Sequence, residues 1–261
     1  MKKDYLPVTA IEAMLSPQDF QLCLWSGRQA AAKIQPVEDR AEFRLVWPYL
    51  WRLREGASVL DIGCGRGEWV NYLSTCGFRA EGIDTIASPS WYGAHGRFHQ
   101  QEFCACNLPA ESFDVCTAWG VFEHFEAGPA GALSKTRELL KPGGLLVLSV
   151  PFQNGRHLRR VKHLWQYDEA FNREVGYRQP MRFYQWRFTA VELARELEIA
   201  GFRVLELKSF NKWQGLFRMV KHDLGIAPER RRLHRAAMLL LWPFIPKSYV
   251  AHSLFAAARK R

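Results

Sequence analysis

None of the six cysteines in this chain forms a C-x-x-C pair. Cys23, Cys64, Cys76, Cys104, Cys106 and Cys116 are not spaced as a zinc module or a disulfide framework. A reducing compartment is therefore the expected setting. No apolar stretch reaches the roughly 18 residues that a spanning helix needs. The charged start Met1-Lys2-Lys3-Asp4 is not followed by an apolar run of signal-peptide length, so a cytoplasmic protein is expected. No internal repeat is visible, and 19 Gly and 13 Pro are near average usage, which excludes collagen-like and low-complexity chains. What remains is 261 residues, 48% apolar and 24% charged, enough for one large α/β domain with insertions.

Acidic residues are scarce in the second half. Residues 1–151 carry 14 Lys and Arg against 17 Asp and Glu, a net −3, whereas residues 152–261 carry 22 against 9, a net +13. The basic half is expected to face an anionic substrate, a membrane surface or a nucleic acid. Nucleic acid ranks lowest, because no nucleic-acid-binding motif or basic–aromatic platform is identifiable.

The first fifty-odd residues read as helical, with Phe43, Val46, Trp47 and Leu50 at helical spacing and Pro48 placed to break or kink the pattern. Short strands and helices then alternate. Strands are expected at Ser58–Ile62, Phe78–Asp84, within Gly96–Cys104, at Phe113–Trp119 and at Leu145–Val150. Helices are expected from Trp69 to Cys76 and from Ala130 to Leu140. Residues 152–187 read as irregular, basic and aromatic. Thr189 with Glu192 forms a capping-box pattern for a helix through Ile199, Gly201 ends it, and Phe202–Leu207 is a further strand. Repeated β-α-β units imply a doubly wound, mostly parallel sheet of the Rossmann-like kind.

Asp61-Ile62-Gly63-Cys64-Gly65-Arg66-Gly67 stands between a strand and a helix, where glycine lets a nucleotide-like ligand approach the backbone. The spacing is G-x-G-x-G; Glu68 occupies the place where a dinucleotide fingerprint needs its third glycine. A carboxylate at a helix start also repels a diphosphate. Asp84, at the end of the next strand, can accept both hydroxyls of a ribose. Asp61 can attract an ammonium. A ribose, a ring and a positive charge without phosphate describe S-adenosylmethionine.

With these motifs the sequence resembles the class I S-adenosylmethionine-dependent methyltransferases, in particular the ubiquinone-biosynthesis-like branch that acts on small molecules. The resemblance runs from about Trp47 to Phe210. Besides Val59–Gly67 and Gly82-Ile83-Asp84, it rests on Leu108-Pro109 with Ser112–Val115, on Leu139–Gly144, on Arg187-Phe188-Thr189 with Leu193, and on Ala200-Gly201-Phe202. It implies a seven-stranded sheet and cofactor contacts at Asp61, Gly63, Cys64, Gly65, Gly67, Asp84, Thr85, Cys104 and Trp119. Many relatives place an acid near the adenine amino group where this chain has Cys104; backbone groups or Glu102 would then read the ring.

Methyl transfer from a sulfonium chiefly requires alignment and exclusion of water, and it needs a base only when the acceptor is a hydroxyl or a charged amine. His124, after Glu123 and just past the fourth strand, is the candidate base; the alternative is a residue that packs against the cofactor or caps a helix. Trp119 lies against the cofactor or substrate, or serves as a core aromatic.

Three units are expected: a helical lid at 1–55, the cofactor-binding domain at 56–210 with a cap at 152–187, and a basic and apolar tail at 211–261. The cap's Arg and aromatic residues suit an anionic or lipid-linked acceptor. Residues 229–261 join a basic stretch to a short apolar run, which can lie at the inner membrane surface, pack on the domain or form a dimer contact. The expected function is methylation of such an acceptor, with oxygen preferred. N- or C-methylation, RNA methylation and a non-catalytic scaffold are the alternatives.

Overall fold

The computed structural model describes residues 1–31, 35–91, 95–163 and 180–261, with the side chains of 28–31 and 160–163 set aside. Within the cap, Trp165, Tyr167 and Arg178 fall outside the described residues, as do the side chains of Arg160, Lys162 and His163.

The elements in order are β1 (Lys2–Pro7), α1 (Ala10–Met14), α2 (Pro17–Ala31), α3 (Ala41–Leu50), β2 (Ser58–Ile62), α4 (Glu68–Thr75), β3 (Arg79–Asp84), β4 (Arg97–Gln100), β5 (Phe113–Trp119) and α5 (Ala130–Leu139). There follow β6 (Leu140–Pro151), α6 (Gly155–His163), β7 (Met181–Arg187), α7 (Ala190–Ile199), β8 (Phe202–Phe210), α8 (Lys212–His222), α9 (Arg231–Leu241), α10 (Lys247–Val250) and β9 (Ser253–Lys260). The expected strands and helices of residues 58–150 and 189–207 are present with ends shifted by a few residues. The capping box at Thr189 and Glu192 is formed, and α3 runs through Pro48.

Seven strands form one sheet in the order β4-β3-β2-β5-β6-β9-β8. It is parallel except at β9, which runs antiparallel to β6 and β8. Alternation along the central strands sorts the core into two layers. Leu60, Ile62, Cys116, Ala118, Leu146 and Leu148 face α5 and α7. Val59, Val115, Val147 and Ala257 face α3 and α4.

Three expectations are corrected. The first fifty residues are not wholly helical: β1 pairs antiparallel with β7 as a separate two-stranded sheet. The cap is not irregular throughout, since it supplies α6 and β7. The segment beyond residue 210 is more than an appendage, because its last strand is inserted between β6 and β8 and completes the central sheet.

Candidate functional site

Gly63, Gly65 and Gly67 all have left-handed backbones, with φ of +67°, +54° and +76°. Any side chain is strained there. A Cβ on Gly63 would lie 2.5 Å from Val121 Cγ2, and one on Gly67 would lie 2.4 Å from Phe98 Cε1. The turn is held against β3 by the N–H groups of Gly63 and Cys64, which donate to the Ile83 carbonyl at 2.8 and 3.1 Å. Gly65 N–H donates to Asp84 Oδ2 at 2.9 Å, and Ile86 N–H donates to Asp84 Oδ1 at 3.0 Å. Asp84 is thus a fixed carboxylate with one lone pair used on each oxygen.

A cavity of about 650 Å³ opens beside this turn, lined by Cys64, Gly65, Glu68, Trp69, Trp119 and Asn211 among others. Trp119 stacks on Trp69 with ring centres 4.9 Å apart. Its buried Nε1–H has no hydrogen-bond partner among the described residues. Glu68, which disfavours phosphate at the helix start, pairs with Arg40 on the same wall. Burial holds the Cys64 thiol far above its usual range, so it lines the cavity as an inert neutral group.

Asp61 is 2% exposed and accepts from Thr117 Oγ1 at 2.7 Å. Burial pushes its carboxyl up to about 7, with Asp84 and Glu68 acting in the same direction. Thr85 is exposed, and its carbonyl receives Gln100 Nε2 at 3.4 Å. Cys104 stands apart from this wall. Burial and neighbouring Glu102 raise its thiol to about 11, so it stays protonated. Both Glu102 oxygens accept backbone N–H groups, of Cys104 at 3.0 Å and Ala105 at 2.7 Å. Glu102 is thereby engaged in its own loop.

A second cavity of about 600 Å³ lies past the carboxyl ends of β5 and β6, where open α/β sheets place their sites. Gly120 and His124 line it, as do Ser149 to Pro151. Trp119 walls the first cavity and its neighbour Gly120 the second. His124 Nδ1 is 2.7 Å from the carbonyl oxygen of Tyr184 on β7. A carbonyl only accepts, so Nδ1 carries the proton and Nε2 is the basic nitrogen. The Trp25 ring from α2 packs edge-on at 4.7 Å from the imidazole. Glu123 Oε1 is 3.8 Å from His124 Nε2, and burial pushes this carboxyl up to about 8. Its Oε2 has no partner among the described residues.

The cap's cations separate into two groups. Arg156 is closed by a two-point ion pair with Asp223. Arg182 donates to the carbonyls of Ala13 and Leu15 at the end of α1, and Trp186 Nε1 donates to the Phe125 carbonyl at 3.0 Å. The cavity instead receives Arg187, together with residues that sequence reasoning missed: Lys2, Lys3, Trp25, Arg218 and His252. Residues 2–7 carry no local strand signal and reach the cavity through their pairing with β7. Nothing in the sequence placed Arg218 here, because β9 and the elements before it bring it back to the sheet.

A family profile described as "Methyltransferase domain" matches residues 33–207. Among curated proteins, the chain is 30% identical over 132 residues to the ubiquinone biosynthesis O-methyltransferase of Paraburkholderia phymatum, covering 47% of this chain and 56% of that protein. It is 31% identical over 143 residues to the enzyme of that name from Pseudomonas aeruginosa, covering 50% and 59%. The chain thus spans little more than half the length of the curated relatives it matches. Among solved structures, a 1,6-didemethyltoxoflavin-N1-methyltransferase from Burkholderia thailandensis, with S-adenosylhomocysteine bound, superposes with a TM-score of 0.57 at 20% identity over 99% of this chain and 96% of that one.

Proposed function

The chain belongs to the S-adenosylmethionine-dependent methyltransferase family, and from that premise we propose that it methylates a hydroxyl of a small-molecule acceptor held in the cavity beside His124. S-adenosylmethionine, when bound, supplies a methyl group already activated on a sulfonium. The observation that carries the reading is the adjacency of two cavities, one walled by Trp119 and the other by Gly120 and His124.

In this reading Asp84 accepts the ribose hydroxyls through the lone pairs that Gly65 and Ile86 leave over. The left-handed glycines 63, 65 and 67 keep the approach clear, and Cys64 offers its backbone. Trp119 contributes a stacking face and its unpartnered Nε1–H. Asp61 meets the ammonium, whose positive charge favours the ionised carboxylate that burial otherwise resists. Thr85 and the Cys104 loop would read the rest of the nucleoside. Because both Glu102 oxygens are taken, backbone groups are the better readers of the adenine.

On the acceptor side, His124 Nε2 would take the hydroxyl proton, the O–H pair would form the new O–C bond, and the pair of the broken S–CH3 bond would stay on sulfur, leaving a neutral thioether. The Tyr184 carbonyl keeps Nδ1 protonated, and the Trp25 ring shields the imidazole from water. The resemblance of the curated relatives, which carry an O-methyltransferase name, supports oxygen as the acceptor atom.

Calorimetric titration with S-adenosylmethionine, and separately with NAD, tests the premise. Micromolar-range binding of the first alone is expected. Absence of binding would remove the methyltransferase reading and favour a scaffold. Transfer of isotope-labelled methyl to catechols, set against matched anilines, then tests the choice of oxygen.

A further inference from the structure

The cavity beside His124 is built with more positive charge than it neutralises. Lys2, Lys3, Arg187 and Arg218 line it with the carboxyls of Asp4 and Glu123, and Lys3 is paired with Glu126 at 3.7 Å. Asp4 is already shared: Arg187 Nε pairs with it at 2.6 Å and Gln185 Nε2 donates to the same oxygen at 2.9 Å. Glu123 adds little compensation, because burial favours its neutral form. The NH1 of Arg187 is buried with no partner among the described residues. Arg218 is half-buried and, among the described residues, has no hydrogen bond or close ion pair, with Asp4 acting on it only through its charge. Burial and the nearby Arg187 disfavour the charge on Arg218 while Tyr184 and Asp4 favour it, and burial together with the two arginines holds His252 neutral.

Such an arrangement is costly in the protein alone. Arginine stays protonated even when buried, and a buried guanidinium N–H without an acceptor forfeits its hydration. Arg156 shows the ordinary solution a short distance away, a two-point pair with Asp223. No carboxylate of this kind is provided for Arg218. Two guanidinium groups facing one cavity match the planar geometry of a carboxylate or a phosphate.

We propose that Arg187 and Arg218 form a binding site for an anionic group of the acceptor, a carboxylate or a phosphate, and so set which molecules are methylated. This rests on reading the cavity as the acceptor site. It narrows the substrate class to hydroxyl compounds bearing an anion, with the hydroxyl toward His124 and the anion toward the arginines.

The test uses the full chain saturated with S-adenosylhomocysteine, titrated calorimetrically with 3,4-dihydroxybenzoate, its neutral amide and inorganic phosphate. The benzoate or phosphate should bind, the amide should bind more weakly, and Arg218→Gln should weaken the anion by about tenfold or more. Arg187→Lys, which keeps the charge but loses the fork, should fall between. S-adenosylhomocysteine affinity should not change in either variant, which also reports that each is folded. Equal binding of benzoate and amide, anion binding unaltered in Arg218→Gln, or no binding of either anion to the loaded wild type would each overturn the proposal. Binding of phosphate but not of benzoate assigns the site to phosphoryl acceptors. Failure of S-adenosylhomocysteine itself to bind would instead sink the methyltransferase reading, and anion binding to the unloaded chain would still decide the arginine site.

A different surface carries a second inference. α9 packs on α8 through His234 and Met238, and its outward side carries Arg232, Arg235, Leu239 and Leu240. Leu240 is 72% exposed and Phe244, just beyond the helix, is 81% exposed. Trp242 is 41% exposed, with Lys212 Nζ 4.6 Å over its ring. Among the described residues no helix is long and apolar enough to cross a membrane. Large apolar side chains following the arginines of this helix suit an anionic bilayer surface, with the leucines and Phe244 among the acyl chains and the guanidinium groups at the phosphates.

From that charge complementarity we infer that α9 and the residues through Phe244 dock the protein on an anionic membrane surface. Co-sedimentation with phosphatidylglycerol–phosphatidylcholine vesicles should exceed that with phosphatidylcholine alone and fall with salt. The double variant L240E/F244E should lose binding while keeping its affinity for S-adenosylhomocysteine. Wild type that ignores anionic vesicles, or binding that survives the double substitution, overturns the inference. So does a wild-type dimer in light scattering that the double variant converts to monomer, since the face would then be a self-interface.

Discussion

His124 Nδ1 lies 2.7 Å from the backbone carbonyl oxygen of Tyr184, a residue of β7 sixty positions later in the chain. The contact joins the loop after β5 to the strand that pairs with the N-terminus. A histidine tethered in this way keeps one tautomer, so the basic nitrogen is decided by β7 rather than by the loop that carries the histidine.

His124→Gln tests that role. Gln keeps a side-chain donor for the Tyr184 carbonyl but has no basic nitrogen. Turnover on a hydroxyl acceptor should fall by about a hundredfold or more, with cofactor affinity unchanged. Full activity in this variant would remove His124 as the base.

Asp84→Asn keeps one oxygen for the Gly65 N–H but removes the charge that accepts from a ribose. S-adenosylmethionine affinity should drop by about tenfold or more in calorimetry. An unchanged affinity would refute the ribose contact.

Asp61 and Glu123 have folded pKa values raised to about 7 and about 8, from 3.8 and 4.5. The folded state therefore binds their protons more tightly than the unfolded state does. The stability they contribute is full below about pH 4 and is lost as pH rises through about 7 to 8. His157 and His252, lowered to about 3 by burial and neighbouring arginines, act oppositely and lose stability as pH falls below about 6.5. Comparing wild type with Asp61→Asn separates the two effects. The variant should gain stability relative to wild type with rising pH, on the order of a few kcal/mol by pH 8, while binding S-adenosylmethionine less well. A stability difference independent of pH would contradict the buried-carboxyl account.

Gly67→Ala and Gly56→Ala form a matched pair. Both glycines have left-handed backbones, yet a Cβ on Gly67 meets Phe98 whereas one on Gly56 meets nothing within 4 Å. Gly56→Ala should cost about 1 kcal/mol in denaturant unfolding and Gly67→Ala distinctly more. Equal losses would show that Phe98 yields freely.

The sequence by itself determined the doubly wound core. Its central strands are short apolar runs, and the caps and glycines that delimit them act within a few residues. Ser58–Ile62 and Phe113–Trp119 therefore appear where expected. The glycine turn and Asp84 were legible for the same reason, since a left-handed φ and an acid at a strand end are local features.

Only the tertiary structure decided the rest. Ala256, Ala257 and Ala258 favour a helix in isolation, yet they form the middle of β9 because a slot remains between β6 and β8 and both sheet faces are covered there. Lys2-Lys3-Asp4 shows no apolar alternation and becomes a strand only because β7 offers an edge. These two long-range pairings carry Asp4, Arg187 and Arg218 to one cavity. Local propensity records what a segment prefers alone; hydrogen bonding and burial between distant segments are realised only when the chain closes on itself, and that closure assembled the cavity beside His124.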